Sequence, residues 1–143
     1  MPDIDYRTST PADNLDIGLL VARILLVAIF PISGYFKIIQ WPGIIGYLTQ
    51  LGAPLPEFGG YLAVLVEMLC PVLVALGLFI RWAALALILY TLGTSILAHR
   101  FWEFMPPAQF GQMVSFFKNL WLVAGLGLIM LIGPGRYALQ PGR

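Results

Sequence analysis

One carboxylate lies inside an apolar stretch that is long enough to cross a bilayer. Glu67 is the single charged residue between positions 61 and 80, which read YLAVLVEMLCPVLVALGLFI. A spanning helix needs about 20 apolar residues. A charge inside such a helix is costly unless it is paired, protonated or facing a cavity. Glu67 therefore needs a partner, and its position indicates either proton or ligand chemistry or a buried ion pair.

The candidate partners lie at the ends of the neighbouring apolar stretches. Lys37 ends the first stretch, His99 follows the third, and Lys118 and Asn119 open the fourth. Because consecutive spanning helices alternate in direction, these residues are expected on the same side of the bundle as the start of the Glu67 helix. Lys37 is the best-placed partner, because its long stem can lean back toward the membrane interior. We therefore predict a polar cluster of Lys37, Glu67, His99, Lys118 and Asn119.

This cluster also has a purely structural interpretation. Lysines at helix ends commonly extend to the interface as anchors, and His99 can be an ordinary interface residue. A Lys37–Glu67 bridge can simply hold two helices together. Arg23 lies inside the first stretch, about 10 Å from Glu67 in depth at the rise of an α-helix. We predict that Arg23 is a structural clamp on backbone carbonyls or lipid phosphates.

Composition excludes several classes of protein. Of the 143 residues, 59% are hydrophobic and 10% are charged, whereas a soluble domain is about 25% charged. The net charge is +1 and no basic cluster is present, so we expect no nucleic-acid partner. Cys70 is the one cysteine and His99 the one histidine, which excludes a cysteine-based metal centre and a bis-histidine haem within one chain. No metal and no covalently or motif-bound cofactor is expected.

The elements that must position these residues are helical. The sequence predicts an all-α polytopic membrane protein, with a polar tail at 1–16, a four-helix transmembrane domain at 17–133 and a C-terminal tail at 134–143. The four helices are predicted at 17–36, 61–80, 82–98 and 117–132. Pro31 and Gly34 predict a kink in the first helix, and Gly125 and Gly127 predict close packing in the fourth. In the first long loop, residues 43–50 predict a short interfacial helix.

An even number of spans puts both termini on one side of the membrane. That side carries Arg7, Arg81, Arg136 and Arg143, and the opposite side carries Lys37, Arg100 and Lys118. The first sixteen residues lack the basic start and apolar core of a signal peptide. We place the termini in the cytoplasm, although the bias in basic residues is small.

Several segments together resemble the DoxX family of membrane proteins. They are RILLVAIFPISGYFKI at 23–38, GAPLP at 52–56, an acidic second helix that ends in GLFIRWAA at 77–84, His99, and FFKNLWLVAGLGLIMLIGPGRYAL at 116–139. The resemblance implies a four-helix bundle in a prokaryotic cytoplasmic (inner) membrane. It assigns no catalytic role to any residue. The positions that match the family pattern are Arg23, Gly34, Lys37, Glu67, Gly77, Arg81, His99, Lys118 and Asn119.

Two functions follow as hypotheses. The family is related to a subunit of thiosulfate–quinone oxidoreductase and to complexes that handle oxidative stress, so the resemblance implies a subunit that helps to form a quinone site. Lys37, His99 and Asn119 would then donate hydrogen bonds, and Glu67 would carry a proton. The alternative is a non-catalytic accessory subunit packed against a larger membrane complex. Both hypotheses imply lipid and membrane-protein partners or a homo-oligomer. A lateral opening to lipid beside Glu67 and His99 would favour the quinone site, and a closed, fully packed pair would favour the structural subunit.

Overall fold

The computed structural model describes residues 11–140, with side chains from residue 14 onward. Within these described residues six α-helices form, and a 3₁₀ turn at Phe101–Glu103 precedes the last of them. Four spans are long and apolar enough to cross a membrane, which confirms the predicted all-α multi-pass class. The helices are α1 Pro11–Val27, α2 Ile29–Ile39, α3 Trp41–Gln50, α4 Pro56–Leu76, α5 Ile80–Ala98 and α6 Ala108–Ile132.

The first span consists of two helices. Asn14–Ile39 is apolar throughout, but α1 ends at Val27 and α2 begins at Ile29. Pro31 explains the break, because proline has no N–H to give to the carbonyl four residues earlier, which is that of Val27. The predicted end at residue 36 was early, so Lys37 lies in the last turn of α2. Residues 11–16 of the predicted N-terminal tail are helical, and residues 1–10 lie outside the described part.

Two further helices begin earlier than the sequence predicted. The helix α4 starts at Pro56 rather than at residue 61, because proline is well suited to the first helical turn, where its missing N–H is not needed. The helix α6 starts at Ala108 rather than at residue 117. Pro106 and Pro107 directly precede it, so they mark the helix start and not a long loop. Lys118 and Asn119 consequently lie well inside α6.

The apolar core fills the half of the bundle nearest the termini. Val27 and Phe30 from the first span meet Val74 of α4, Leu87 of α5 and Leu126 of α6, all buried. The outward faces of the same helices carry large exposed apolar side chains. That distribution is expected where the surrounding solvent is lipid.

The short helix α3 folds back onto the start of α4. Trp41 contacts Tyr61, with ring centroids 4.6 Å apart. A β-carbon on Gly60 would lie 2.9 Å from Ile45 Cδ1 and 3.0 Å from Trp41 Cη2, so any larger residue there would force these two side chains to shift. The helix expected at residues 43–50 thus begins at Trp41 and is fixed against the bundle.

Candidate functional site

Glu67 is the centre of a hydrogen-bonded network. Lys37 Nζ lies 2.7 Å from Oε2 and 2.9 Å from Oε1, and Tyr90 donates its hydroxyl to Oε1 at 2.8 Å. Ser33 Oγ lies 3.2 Å from Oε1 and 2.6 Å from Lys37 Nζ. Glu67 is 4% exposed. The carboxylate is therefore buried with its charge compensated and both oxygens hydrogen-bonded, as a charge within a membrane requires.

Three helices position this network. Ser33 and Lys37 are four residues apart and share one face of α2, whereas Tyr90 comes from α5. Gly34 brings α2 close to α4, because a β-carbon there would lie 3.2 Å from Glu67 Cβ. Pro71 follows Glu67 by four residues inside α4. It cannot donate to the Glu67 carbonyl, so the helix is locally weakened beside the site.

An apolar groove lies at the same end of the bundle as the network, although neither Lys37 nor Glu67 lines it. It has a volume of about 470 Å³ and is lined by Ile38, Trp41, Tyr61, Val64 and Leu65. Two of the lining residues are close in sequence to the ion pair. Ile38 directly follows Lys37, and Val64 lies about one turn before Glu67 in α4. The outer side chains of the groove are exposed. The groove thus opens laterally, toward the position of the lipid.

The structure does not bring the other three predicted residues into this network. His99 Nδ1 lies 2.9 Å from Gln112 Oε1. Lys118 is exposed and Asn119 is half-buried on α6, and neither forms a side-chain hydrogen bond among the described residues. The reason is the early start of α6, which moves both residues away from the helix end where they were expected.

The sequence reasoning missed Ser33 and Tyr90. Tyrosine is enriched at the membrane interface, yet Tyr90 lies near the middle of α5. A phenol in mid-span needs a buried acceptor, since its hydroxyl cannot reach water there. Ser33 lies four residues before Lys37, and that spacing was a usable signal.

Arg23 forms a second buried polar centre near the end of the bundle that carries the termini. It is 1% exposed. Its Nη2 donates to the carbonyls of Ala75 at 3.2 Å and Tyr137 at 2.6 Å, and its Nη1 donates to the carbonyl of Pro134. The guanidinium thus connects α1 to the end of α4 and to the C-terminal turn, which comprises residues 133–140. These contacts are those of a clamp on backbone carbonyls.

Gly77 permits the C-terminal turn to approach this centre. Its φ is +70°, in the left-handed region, and it caps α4. A β-carbon at Gly77 would lie 2.4 Å from Ala138 Cβ and 3.0 Å from Arg23 Nη1. Leu139 then donates its N–H to the Leu76 carbonyl at 2.9 Å. Among the described residues, no group of three or more His, Cys, Asp or Glu side chains could hold a metal ion.

Comparison with known proteins places this arrangement in a family. The DoxX family model matches residues 18–100. The chain belongs to the DoxX family. It is 37% identical over 122 residues to the inner membrane protein YphA of Escherichia coli (strain K12), covering 85% of this chain and 87% of YphA. It is 33% identical over 136 residues to the inner membrane protein YqjF of the same organism, covering 87% and 91%. No solved structure matches significantly.

The two polar centres differ in whether all of their residues lie within the part of the chain that matches the DoxX family model. Ser33, Lys37, Glu67 and Tyr90 all lie within the matched residues 18–100. The C-terminal turn that completes the Arg23 clamp lies beyond them. The Glu67 network is therefore built wholly from the part of the chain that defines the family.

Proposed function

We propose that this DoxX protein is a subunit of the cytoplasmic membrane of a prokaryote, with cytoplasmic termini, that helps to form a quinone site for an oxidoreductase complex. The observation that carries the proposal is the buried Lys37–Glu67 network beside a laterally open aromatic groove. Both relatives, YphA and YqjF, are named as inner membrane proteins. Arg81 and Arg136 at the end that carries the termini are consistent with that orientation.

The groove fits the head group of a quinone in size and chemistry. Its volume of about 470 Å³ lies in the range of small-molecule sites. Trp41 and Tyr61 offer aromatic faces for a planar ring. The isoprenoid tail would leave through the lateral opening into lipid.

The network would supply a quinone with a hydrogen-bond donor and with protons. Lys37 has a side chain that is 20% exposed, whereas the Glu67 side chain is 5% exposed. Lys37 is therefore the member that a ligand can reach, and its ammonium can donate to a quinone carbonyl. Reduction of the quinone to quinol consumes two electrons and two protons. The oxidoreductase partner would supply the electrons, and the Lys37–Glu67 pair would pass protons to the quinone oxygens. His99 and Asn119 were expected as donors, but neither is hydrogen-bonded to the network.

One observation favours the alternative of a structural accessory subunit. Glu67 Oε1 accepts three hydrogen bonds and Oε2 accepts one, all at 3.2 Å or less. An ion pair that is enclosed and fully hydrogen-bonded in this way can have a purely structural role, which is to hold α2, α4 and α5 together. The protein would then pack against a larger membrane complex or a second copy of itself without binding quinone.

A quinone-retention experiment separates the two functions. The protein is purified in mild detergent, and bound quinone is quantified by mass spectrometry in wild type, Trp41→Ala and Lys37→Met. Tyr47→Ala is the matched control, because Tyr47 is an exposed aromatic residue of α3 outside the groove. The redox proposal expects retained quinone that both test variants lose and the control keeps. Absence of quinone from wild type, or equal retention in all variants, would leave the structural function.

A further inference from the structure

A second cavity lies at the end of the bundle that carries the termini, separate from the Glu67 network. It has a volume of about 770 Å³ and lies between the turn from α4 to α5 and the start of the C-terminal turn. The residues that line it include Phe79, Arg81, Trp82, Ile132, Arg136 and Gln140.

The charged side chains that line this cavity, among the described residues, are both basic. Arg81 and Arg136 line it, and none of its described lining residues is acidic. Asp16 lies nearby, where it accepts the backbone N–H of Arg136 at 3.0 Å, but it does not line the cavity. Both arginines are exposed. Two guanidinium groups on one concave surface favour a phosphate, because arginine donates paired hydrogen bonds in a geometry that matches phosphate oxygens.

The cavity also spans the boundary between apolar and polar surroundings. It lies where α4 and α6 end and α5 begins, which is the expected level of the lipid head groups. Trp82 is 73% exposed, and an exposed tryptophan at the end of a span is typical of the membrane interface. Ile132 offers an exposed apolar side chain. A ligand with a phosphate and acyl chains would therefore find both charge and apolar surface.

The walls of the cavity are held by specific hydrogen bonds. Gln140 Oε1 accepts the Phe79 N–H at 3.1 Å, and Leu139 N–H donates to the Leu76 carbonyl at 2.9 Å. The C-terminal turn is thus fixed against the α4–α5 turn. The two arginines come from different elements, since Arg81 lies in the first turn of α5 and Arg136 belongs to the C-terminal turn.

We propose that this cavity is a phosphate-binding site, with Arg81 and Arg136 as its ligands, and that it takes the phosphate of an anionic phospholipid. The lipid would rest its acyl chains against the exposed apolar side chains at the ends of α5 and α6. This site is independent of the quinone proposal, because it shares no lining residue with the groove beside Lys37.

The test is a lipid competition measured by native mass spectrometry. Purified protein in detergent is mixed with equal amounts of phosphatidylglycerol and phosphatidylcholine with the same acyl chains. We expect wild type to prefer phosphatidylglycerol, and we expect each of Arg81→Gln and Arg136→Gln to reduce that preference about fivefold, the effect of one basic residue near a membrane surface. Lys118→Gln is the control, since it removes an exposed cation outside the cavity.

A second arm identifies the source of the phosphate. Glycerol 3-phosphate is titrated into the same samples without lipid. Arginine-dependent binding of glycerol 3-phosphate without a lipid preference would support the phosphate site but assign it a soluble ligand. An unchanged phosphatidylglycerol preference in the arginine variants, or an equal loss in Lys118→Gln, would overturn the proposal. The midpoint of thermal unfolding is measured for each variant to confirm that it folds. Arg136→Gln keeps the backbone N–H that donates to Asp16.

Discussion

The Lys37–Glu67 pair makes a specific prediction about stability, because its two members are buried to different extents. The Glu67 side chain is 5% exposed and cannot move to water, whereas the Lys37 side chain is 20% exposed and lies in the last turn of α2. Lys37→Met removes three short contacts and leaves a buried carboxyl group. Glu67→Leu leaves a lysine that can extend toward the interface. The two single substitutions should therefore have unequal costs.

The magnitudes follow from the contacts. Breaking a buried pair by removing one partner costs about 3–5 kcal/mol, but an unpaired carboxylate can take up a proton. We therefore expect Lys37→Met to lower the free energy of unfolding by about 3 kcal/mol, near the bottom of that range. Glu67→Leu should cost about 1–2 kcal/mol, because the lysine extends to the polar interface but the Tyr90 hydroxyl loses its acceptor. The double variant should likewise cost about 1–2 kcal/mol, since replacing both members with apolar groups is often close to neutral and Tyr90 is again left without its acceptor.

The assay is a double-mutant cycle on reversible unfolding. Wild type, Lys37→Met, Glu67→Leu and the double variant are titrated with sodium dodecyl sulfate in mixed micelles, and helicity is followed by circular dichroism. We expect a coupling energy of about 2 kcal/mol or more, within the range for residues in one network. Additive effects, with coupling below about 0.5 kcal/mol, would refute the ion pair. Equal costs of the two single variants would refute the argument from unequal burial.

Three further substitutions test other contacts in the bundle by the same unfolding assay. Arg23→Leu should cost about 3 kcal/mol, because it leaves buried carbonyls without donors; a cost below about 1 kcal/mol would show that water replaces the guanidinium. Gly77→Ala should cost about 2 kcal/mol or more, since it combines a left-handed φ of +70° with a β-carbon clash at 2.4 Å. Gly127→Ala meets nothing within 4 Å and should be neutral or stabilising, because alanine favours a helix more than glycine does. Gly125→Ala should gain less stability, because its β-carbon would lie 2.8 Å from Leu26 Cδ1 and that side chain must shift. Equal effects of these two variants would contradict the packing described for α6.

Sequence reasoning could predict the spans and the central ion pair, because both depend on signals carried by single segments. Apolar length identifies a spanning helix, and an intramembrane carboxylate requires a partner. Lys37 could be proposed because alternating helix directions put it on the same side as the start of α4. The structure brings these two residues together at 2.7 Å.

The remainder of the site could not be predicted, because it depends on how faces of different helices meet. Tyr90 reaches Glu67 only because α5 packs against α4 with that face inward. The helix α6 starts directly after Pro106 and Pro107. From the sequence alone, two adjacent prolines are as compatible with a loop as with the start of a helix. The sequence offers no way to distinguish Gly125 from Gly127, since both are glycines in the same apolar stretch. In the structure, only a β-carbon on Gly125 would meet another helix, at Leu26. Spacing along one chain does not determine these contacts.

The two buried polar centres share α4 but differ in what they can still do. Arg23 is 1% exposed and donates to three backbone carbonyls through its two terminal nitrogens, while Nε has no hydrogen-bond partner among the described residues. About eight residues along α4 from Ala75, or roughly 12 Å at the rise of a helix, Lys37 meets Glu67 at the end of the bundle that carries the groove. The Lys37 side chain is 20% exposed, whereas Arg23 is fully enclosed. The Arg23 clamp therefore fixes one end of α4 structurally, and any chemistry of this protein should take place at the other centre.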